Sequence, residues 1–254
     1  MKKYLSLLTM AVLFCACEDW KTTSDDQTEP AWGKASLRIE NPIVEGDSLC
    51  YHIEFNLDTL SGDGELASQL SAVLRDSVLY LRGFATVSQT MTSLADSLES
   101  EWKQQIAEQL AYDPEYKDML QYTYHIEGSA VDNGNDSILS YQANTETYLG
   151  GAHGSYVVGY YNFNKNTGKL LSIRDIVPAD KEKEVLKAME RQLCKDWDAA
   201  NMTDLQEKTG ITMLGDLYLT NNFLLKNDSI EFLFNQYEIA PYAAGLIDIT
   251  VKRP

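Results

Sequence analysis

Apolar and polar residues change their rhythm several times along the chain, and each change marks a different element. Residues 35–44 and 48–57 alternate with a period of two and are joined by Glu45-Gly46-Asp47, which predicts a hairpin. In the second run Leu49, Tyr51, Ile53, Phe55 and Leu57 share one face, and Cys50, His52, Glu54 and Asn56 share the other. That split predicts a sheet with one packed face. The period then lengthens. Leu66, Leu70, Val73, Leu74 and Val78 fall at helical spacing, and a longer helix over 88–110 carries Met91, Leu94, Leu98, Trp102, Ile106 and Leu110 on one stripe. Asp113-Pro114 stops it.

Strand rhythm returns over 119–131, turns at Asp132-Asn133-Gly134-Asn135, and runs back over 137–148. Residues 156–164 continue the sheet and turn at 164–168 into 169–172. A short helical turn at 173–177, closed by Pro178, precedes a helix over 180–197 with Val185, Leu186, Met189, Leu193 and Trp197 as its apolar stripe. Strands over 222–226, 229–234 and 246–251 finish the chain. Strands grouped with strands and helices with helices predict an α+β fold. The expectation is two small units, 34–115 and 116–254, each a mostly antiparallel sheet packed with one or two helices.

The first residues change the picture of where this fold resides. Lys2 and Lys3 precede an apolar run over 4–14 that is too short for a stable membrane span, the pattern of a secretory signal peptide. Phe14-Cys15-Ala16-Cys17 resembles a bacterial lipobox, so residues 1–16 are expected to be removed and Cys17 to be lipidated. A polar, acidic stretch over 17–33 then reads as a flexible tether. The address implied is the bacterial cell envelope, with a lipid-anchored protein at the outer membrane or cell surface.

The formal net charge is −17. A surface so acidic repels phosphate backbones and argues against nucleic acid; it favours solubility and a basic partner. Of four cysteines, Cys50 and Cys194 remain after processing and lipidation. An oxidising compartment permits a disulfide between them, with two buried free thiols as the alternative.

The most unusual stretch is Tyr148-Leu149-Gly150-Gly151-Ala152-His153-Gly154, followed by an aromatic run over 156–163. Later comes Tyr237-Glu238-Ile239-Ala240-Pro241-Tyr242-Ala243-Ala244-Gly245. This order, with Tyr-Tyr-Asn-Phe-Asn-x-x-Thr-Gly-Lys and an Asp175-Ile176-Val177 turn between, resembles the extracytoplasmic domain family of the RsiV anti-sigma factor and the PdaC peptidoglycan deacetylase. The resemblance spans about 148–251 and implies an extracytoplasmic pair of α+β domains. In RsiV the region binds lysozyme; in PdaC it accompanies a separate deacetylase domain. This sequence shows no sigma-binding segment and no deacetylase domain, so neither role is carried over.

Two readings of the glycine run stand side by side. In one, Gly150, Gly151, Ala152 and Gly154 shape a bend and His153 bonds across it as scaffold. In the other, the run is a recognition loop with Tyr148 and His153 as contacts, bordered by Tyr237, Pro241 and Tyr242. The histidines His52, His125 and His153 share no metal-type spacing, and no nucleophile elbow or reactive cysteine is present. No catalytic residue, metal or cofactor is therefore expected. The reading is a binding or sensing protein whose ligand is a basic protein such as lysozyme or a cell-wall glycan. The alternative is an accessory or enzymatic component of envelope polysaccharide modification.

Overall fold

The computed structural model describes residues 30–42, 50–115, 121–209, 213 and 215–254. The expected signal peptide, the expected lipidation site Cys17 and the expected hairpin turn at 45–47 lie outside them.

Two sheets and their helices make an α+β fold. Strands β1 (Ala31–Pro42), β2 (Cys50–Ser61), β3 (Tyr122–Val131), β4 (Ile138–Leu149) and β5 (Ser155–Asn164) form one sheet in that order. All its neighbours are antiparallel except β2 and β3, which run parallel. A parallel pair needs a long crossover, and residues 62–121 supply it. They hold helix α1 (Glu65–Val73), which runs into a π turn (Leu74–Val78), and helix α2 (Val87–Tyr112).

The predicted alternation in β2 holds. Tyr51, Ile53, Phe55 and Leu57 are buried beneath the helices, whereas His52, Glu54 and Asn56 are only half-buried on the opposite face. Thr86 caps α2 by accepting from Gln89 N–H at 3.2 Å, and the helix ends at Tyr112, with Asp113 before Pro114 already extended. From its stripe Trp102 packs edge-on against Tyr51 at 5.7 Å between centroids and tilted against Tyr122 at 5.4 Å. Tyr141 of β4 donates to the Asp58 carbonyl at 2.9 Å, and burial raises its phenol pKa well above the ordinary value.

The second sheet is small. Strands β6 (Phe223–Leu225), β7 (Ser229–Phe234) and β8 (Ile247–Lys252) pair antiparallel in sequence order. Short helix α3 (Ile173–Ile176), helix α4 (Glu182–Asp196) and helix α5 (Met202–Thr209) close its core with Val185, Met189, Leu193 and Leu205 against Phe223, Phe232 and Ile249. Helix α5 was not anticipated. It spans two turns and buries one leucine, Leu205, too little to leave a periodic signature.

The expected division near residue 115 needs correction. One sheet runs from Ala31 to Asn164, so the change of unit follows β5 rather than the α2 helix. The expected tether likewise ends earlier than 33, because residues 31–33 already pair in β1.

Side-chain amides join the units. The outer edge of β5 would leave backbone groups unpaired, and Asn222 meets them by accepting from Tyr160 N–H and donating to the Val158 carbonyl, both at 2.8 Å. Asn235 accepts from Val158 N–H at 2.8 Å and donates to the same carbonyl at 3.1 Å. Beneath them, buried Asn162 accepts from the Ser140 hydroxyl at 2.6 Å and donates to the Phe223 carbonyl at 2.6 Å.

Candidate functional site

The glycine run is the loop between β4 and β5. Gly150 and Gly151 sit at φ +81° and +95° with open space where a Cβ would go, so conformation is what requires glycine. At Gly154 space is the constraint, since a Cβ would stand 2.7 Å from the Thr147 carbonyl oxygen. Tyr148 closes the bend by donating its hydroxyl to the Gly151 carbonyl at 3.0 Å. Ala152 and His153 are exposed at the tip.

The second distinctive run arrives from the other unit. Ile239 and Ala240 anchor it in the core, at 1% and 3% exposure. Tyr237 donates its backbone N–H to the Ala240 carbonyl at 3.1 Å, closing a turn in which Tyr237 takes φ +68°. A bulky residue held in the left-handed region is uncommon, and here it leaves the Tyr237 ring 57% exposed. Pro241 then leads into a single turn at Tyr242–Ala244, released by Gly245 at φ +70°.

The two runs meet. The His153 ring stacks on Tyr242 with centroids 3.9 Å apart and planes at 22°, and Tyr242 lies 5.8 Å from Tyr237 at 38°. The Gly154 carbonyl fixes the junction. It accepts the Tyr242 hydroxyl at 3.1 Å and lies 2.9 Å from His153 Nδ1, a contact that places the ring proton on Nδ1. His153 is therefore not the buried histidine bonding across the bend that the scaffold reading expects; its partner is an aromatic ring of the other unit. Tyr156, 38% exposed, stands at the start of β5, its N–H directed at Gln236 Oε1 at 3.5 Å. Sequence reasoning missed Gln236, Asn222 and Asn235, because a side-chain amide pairing with a strand edge has no periodic signature.

On the other side of the loop, Leu149 ends β4 and lines a cleft of about 560 Å³ with Gln105, Glu108, Tyr112, Asp113 and Tyr122. Amides, carboxylates and aromatic rings together are chemistry suited to a polyhydroxylated ligand.

The remaining candidates lie elsewhere. Cys194 is a buried free thiol that donates to the Met202 sulfur at 3.7 Å, as the free-thiol alternative has it for this residue; the side chain of Cys50 lies outside the description. Burial raises the Cys194 pKa, and Glu190 and Asp204 push the same way. His52 and His125 sit on the polar face of the large sheet. His52 Nδ1 faces Glu40 at 3.1 Å. His125 faces Glu127 at 3.5 Å, close enough for electrostatic attraction but without hydrogen-bond geometry at its buried Nε2. Among the described residues no three His, Cys, Asp or Glu side chains converge as a metal site.

In class, this is a two-sheet α+β fold shared with solved proteins. A member of the DUF3298 family from Bacteroides fragilis superposes with a TM-score of 0.75 at 21% identity, covering 90% of this chain and 92% of that one. A DUF3298 family protein from Pseudomonas aeruginosa does so with a TM-score of 0.58 at 16% identity, covering 89% and 92%. More particularly, residues 174–253 match the model of DUF3298, a protein family of unknown function. That span coincides with the second unit, α3 to β8. No curated protein matches the chain.

Proposed function

We propose that this chain is a lipid-anchored protein of the bacterial cell envelope that binds, and so senses, a cell-wall glycan. The observation that carries the reading is the row of His153, Tyr242 and Tyr237, exposed at His153 and Tyr237 and half-buried at Tyr242, built where two units meet. Aromatic rings held rigidly at a surface offer contact area at little entropic expense, and the apolar C–H face of a sugar lies flat on such a ring. The cleft that Leu149 lines, just before the glycine loop, supplies amide and carboxylate partners for hydroxyls. The lipobox ending at Cys17 and the resemblance to RsiV- and PdaC-type domains support the address.

A basic protein such as lysozyme is the second reading, favoured by the net charge of −17. Calorimetry on protein lacking its signal peptide, titrated with peptidoglycan fragments and separately with lysozyme, decides between them. On the glycan reading, fragments bind and Tyr237→Ala with Tyr242→Ala weakens binding by about tenfold, of order 1.4 kcal/mol. Binding of lysozyme alone selects the second reading. Binding of neither ligand overturns both.

A further inference from the structure

Charge singles out a different surface. Acidic residues outnumber basic ones by 38 to 21, so a surface cation should usually find a carboxylate, as Lys34, Lys103, Lys169 and Lys226 do. Helix α4 departs from this. Lys183, Lys187, Arg191 and Lys195 succeed one another at four-residue intervals, and all four are exposed. Among the described residues none of them is ion-paired. Such spacing sets the cations about 6 Å apart along the helix, where they repel one another.

The C-terminal pair of this row meets the second sheet. Arg191 and Lys195 line a cleft of about 270 Å³ together with Lys252 of β8; Gln192 and Thr250 add polar groups to its wall, and Ala188 and Val251 apolar ones. Strand β8 is the outer strand of its sheet and presents Asp248, Thr250 and Lys252 to solvent. The acidic neighbours are Glu190, Asp196, Asp248 and Glu231, which lies opposite Thr250 in the β7–β8 ladder and is paired with Lys226 at 2.7 Å. Asp196 is engaged in accepting from the Gln192 amide at 2.6 Å.

We propose that the α4–β8 cleft is a binding site for a phosphate group, carried either by a soluble phosphorylated ligand or by a lipid headgroup. Three cations around one small cleft suit a multiply charged anion better than a single carboxylate. The planar guanidinium of Arg191 can grip two phosphate oxygens at once, with Lys195 and Lys252 as point charges and the Thr250 hydroxyl as a neutral donor. The site uses no residue of the His153–Tyr242 surface and stands independently of the glycan reading.

The test is calorimetric titration of the protein with inorganic pyrophosphate, alongside co-sedimentation with phosphatidylglycerol vesicles. Saturable binding to either supports the proposal, and the arm that responds identifies the source. Arg191→Glu combined with Lys252→Glu should weaken binding by at least about tenfold, whereas Lys165→Glu, a single charge reversal on the turn after β5, should leave it within about twofold. Because all three side chains are exposed, circular dichroism should report native folds. Should the double reversal fail to fold, Arg191→Gln with Lys252→Gln should show the same loss. No binding to either probe, or an equal loss in Lys165→Glu, overturns the proposal.

Discussion

Gly128 shows how closely single residues are fitted in the large sheet. A Cβ there would stand 2.5 Å from the Tyr141 hydroxyl and 2.8 Å from Leu57 Cδ2, and Tyr141 is in turn tied to the Asp58 carbonyl. Neither neighbour can retreat, since Leu57 and Tyr141 are 1% and 0% exposed. Gly128→Ala should therefore destabilise the protein by about 1–3 kcal/mol, the usual cost of overpacking, and chemical denaturation will measure it. His153→Ala removes only an exposed ring, so it should change stability by no more than about 1 kcal/mol. The same denaturation series makes the comparison.

At the scale of elements, α3 is a four-residue helix that survives through its cap. Asp175 accepts from the Ser172 N–H and hydroxyl, both at 2.8 Å, and pairs with Lys169 at 2.6 Å. The hydrogen bond from Lys169, with those from Ser172, holds the Asp175 carboxyl down to about 2. A carboxylate whose pKa is lower folded than unfolded contributes stability above its unfolded value, and that contribution fades as pH falls toward the folded one. Between about pH 4 and pH 2 this cap should loosen. Amide exchange at Ile173, Arg174 and Val177 should quicken over that window in the wild type, and Asp175→Asn should show the faster exchange already at neutral pH.

Elements were legible in the sequence where burial imposes a period. The run Tyr51, Ile53, Phe55 and Leu57 announced a strand, and Met91, Trp102 and Ile106 a helix, because each series faces one core. What periodicity does not encode is which strand lies beside which. The parallel pairing of Ile53 with Tyr124 and Phe55 with Ile126 joins segments some seventy residues apart, and only the complete sheet reveals that 31–164 is one unit. The candidate site divides the same way. The need for glycine at 150, 151 and 154 was readable from composition, and so was the oddity of the 237–245 run. The stacking of His153 on Tyr242 was not, because it belongs to the docking of two units.

For the molecule as a whole, that docking rests on polar groups. Asn162 is 1% exposed and, through one side chain, touches Ser140, the Phe223 carbonyl and the Leu225 N–H. Asn162→Leu keeps the volume but strands buried partners, at about 1–3 kcal/mol for each group left unmet. Two separate unfolding transitions, read by calorimetry, are the expected result; a single sharp transition at the wild-type temperature would show that the amide does not couple the sheets.

The amides on β5 also govern how the protein can associate. A sheet with two open sides can add copies at both and grow without limit. Here β5 is occupied along its outer edge by Asn222 and Asn235, while β1 is the opposite outer strand. Among the described residues that leaves one side, which permits one self-pairing, β1 against β1 about a twofold axis, and such a contact consumes the edge it uses. Self-association through the β1 edge would stop at two.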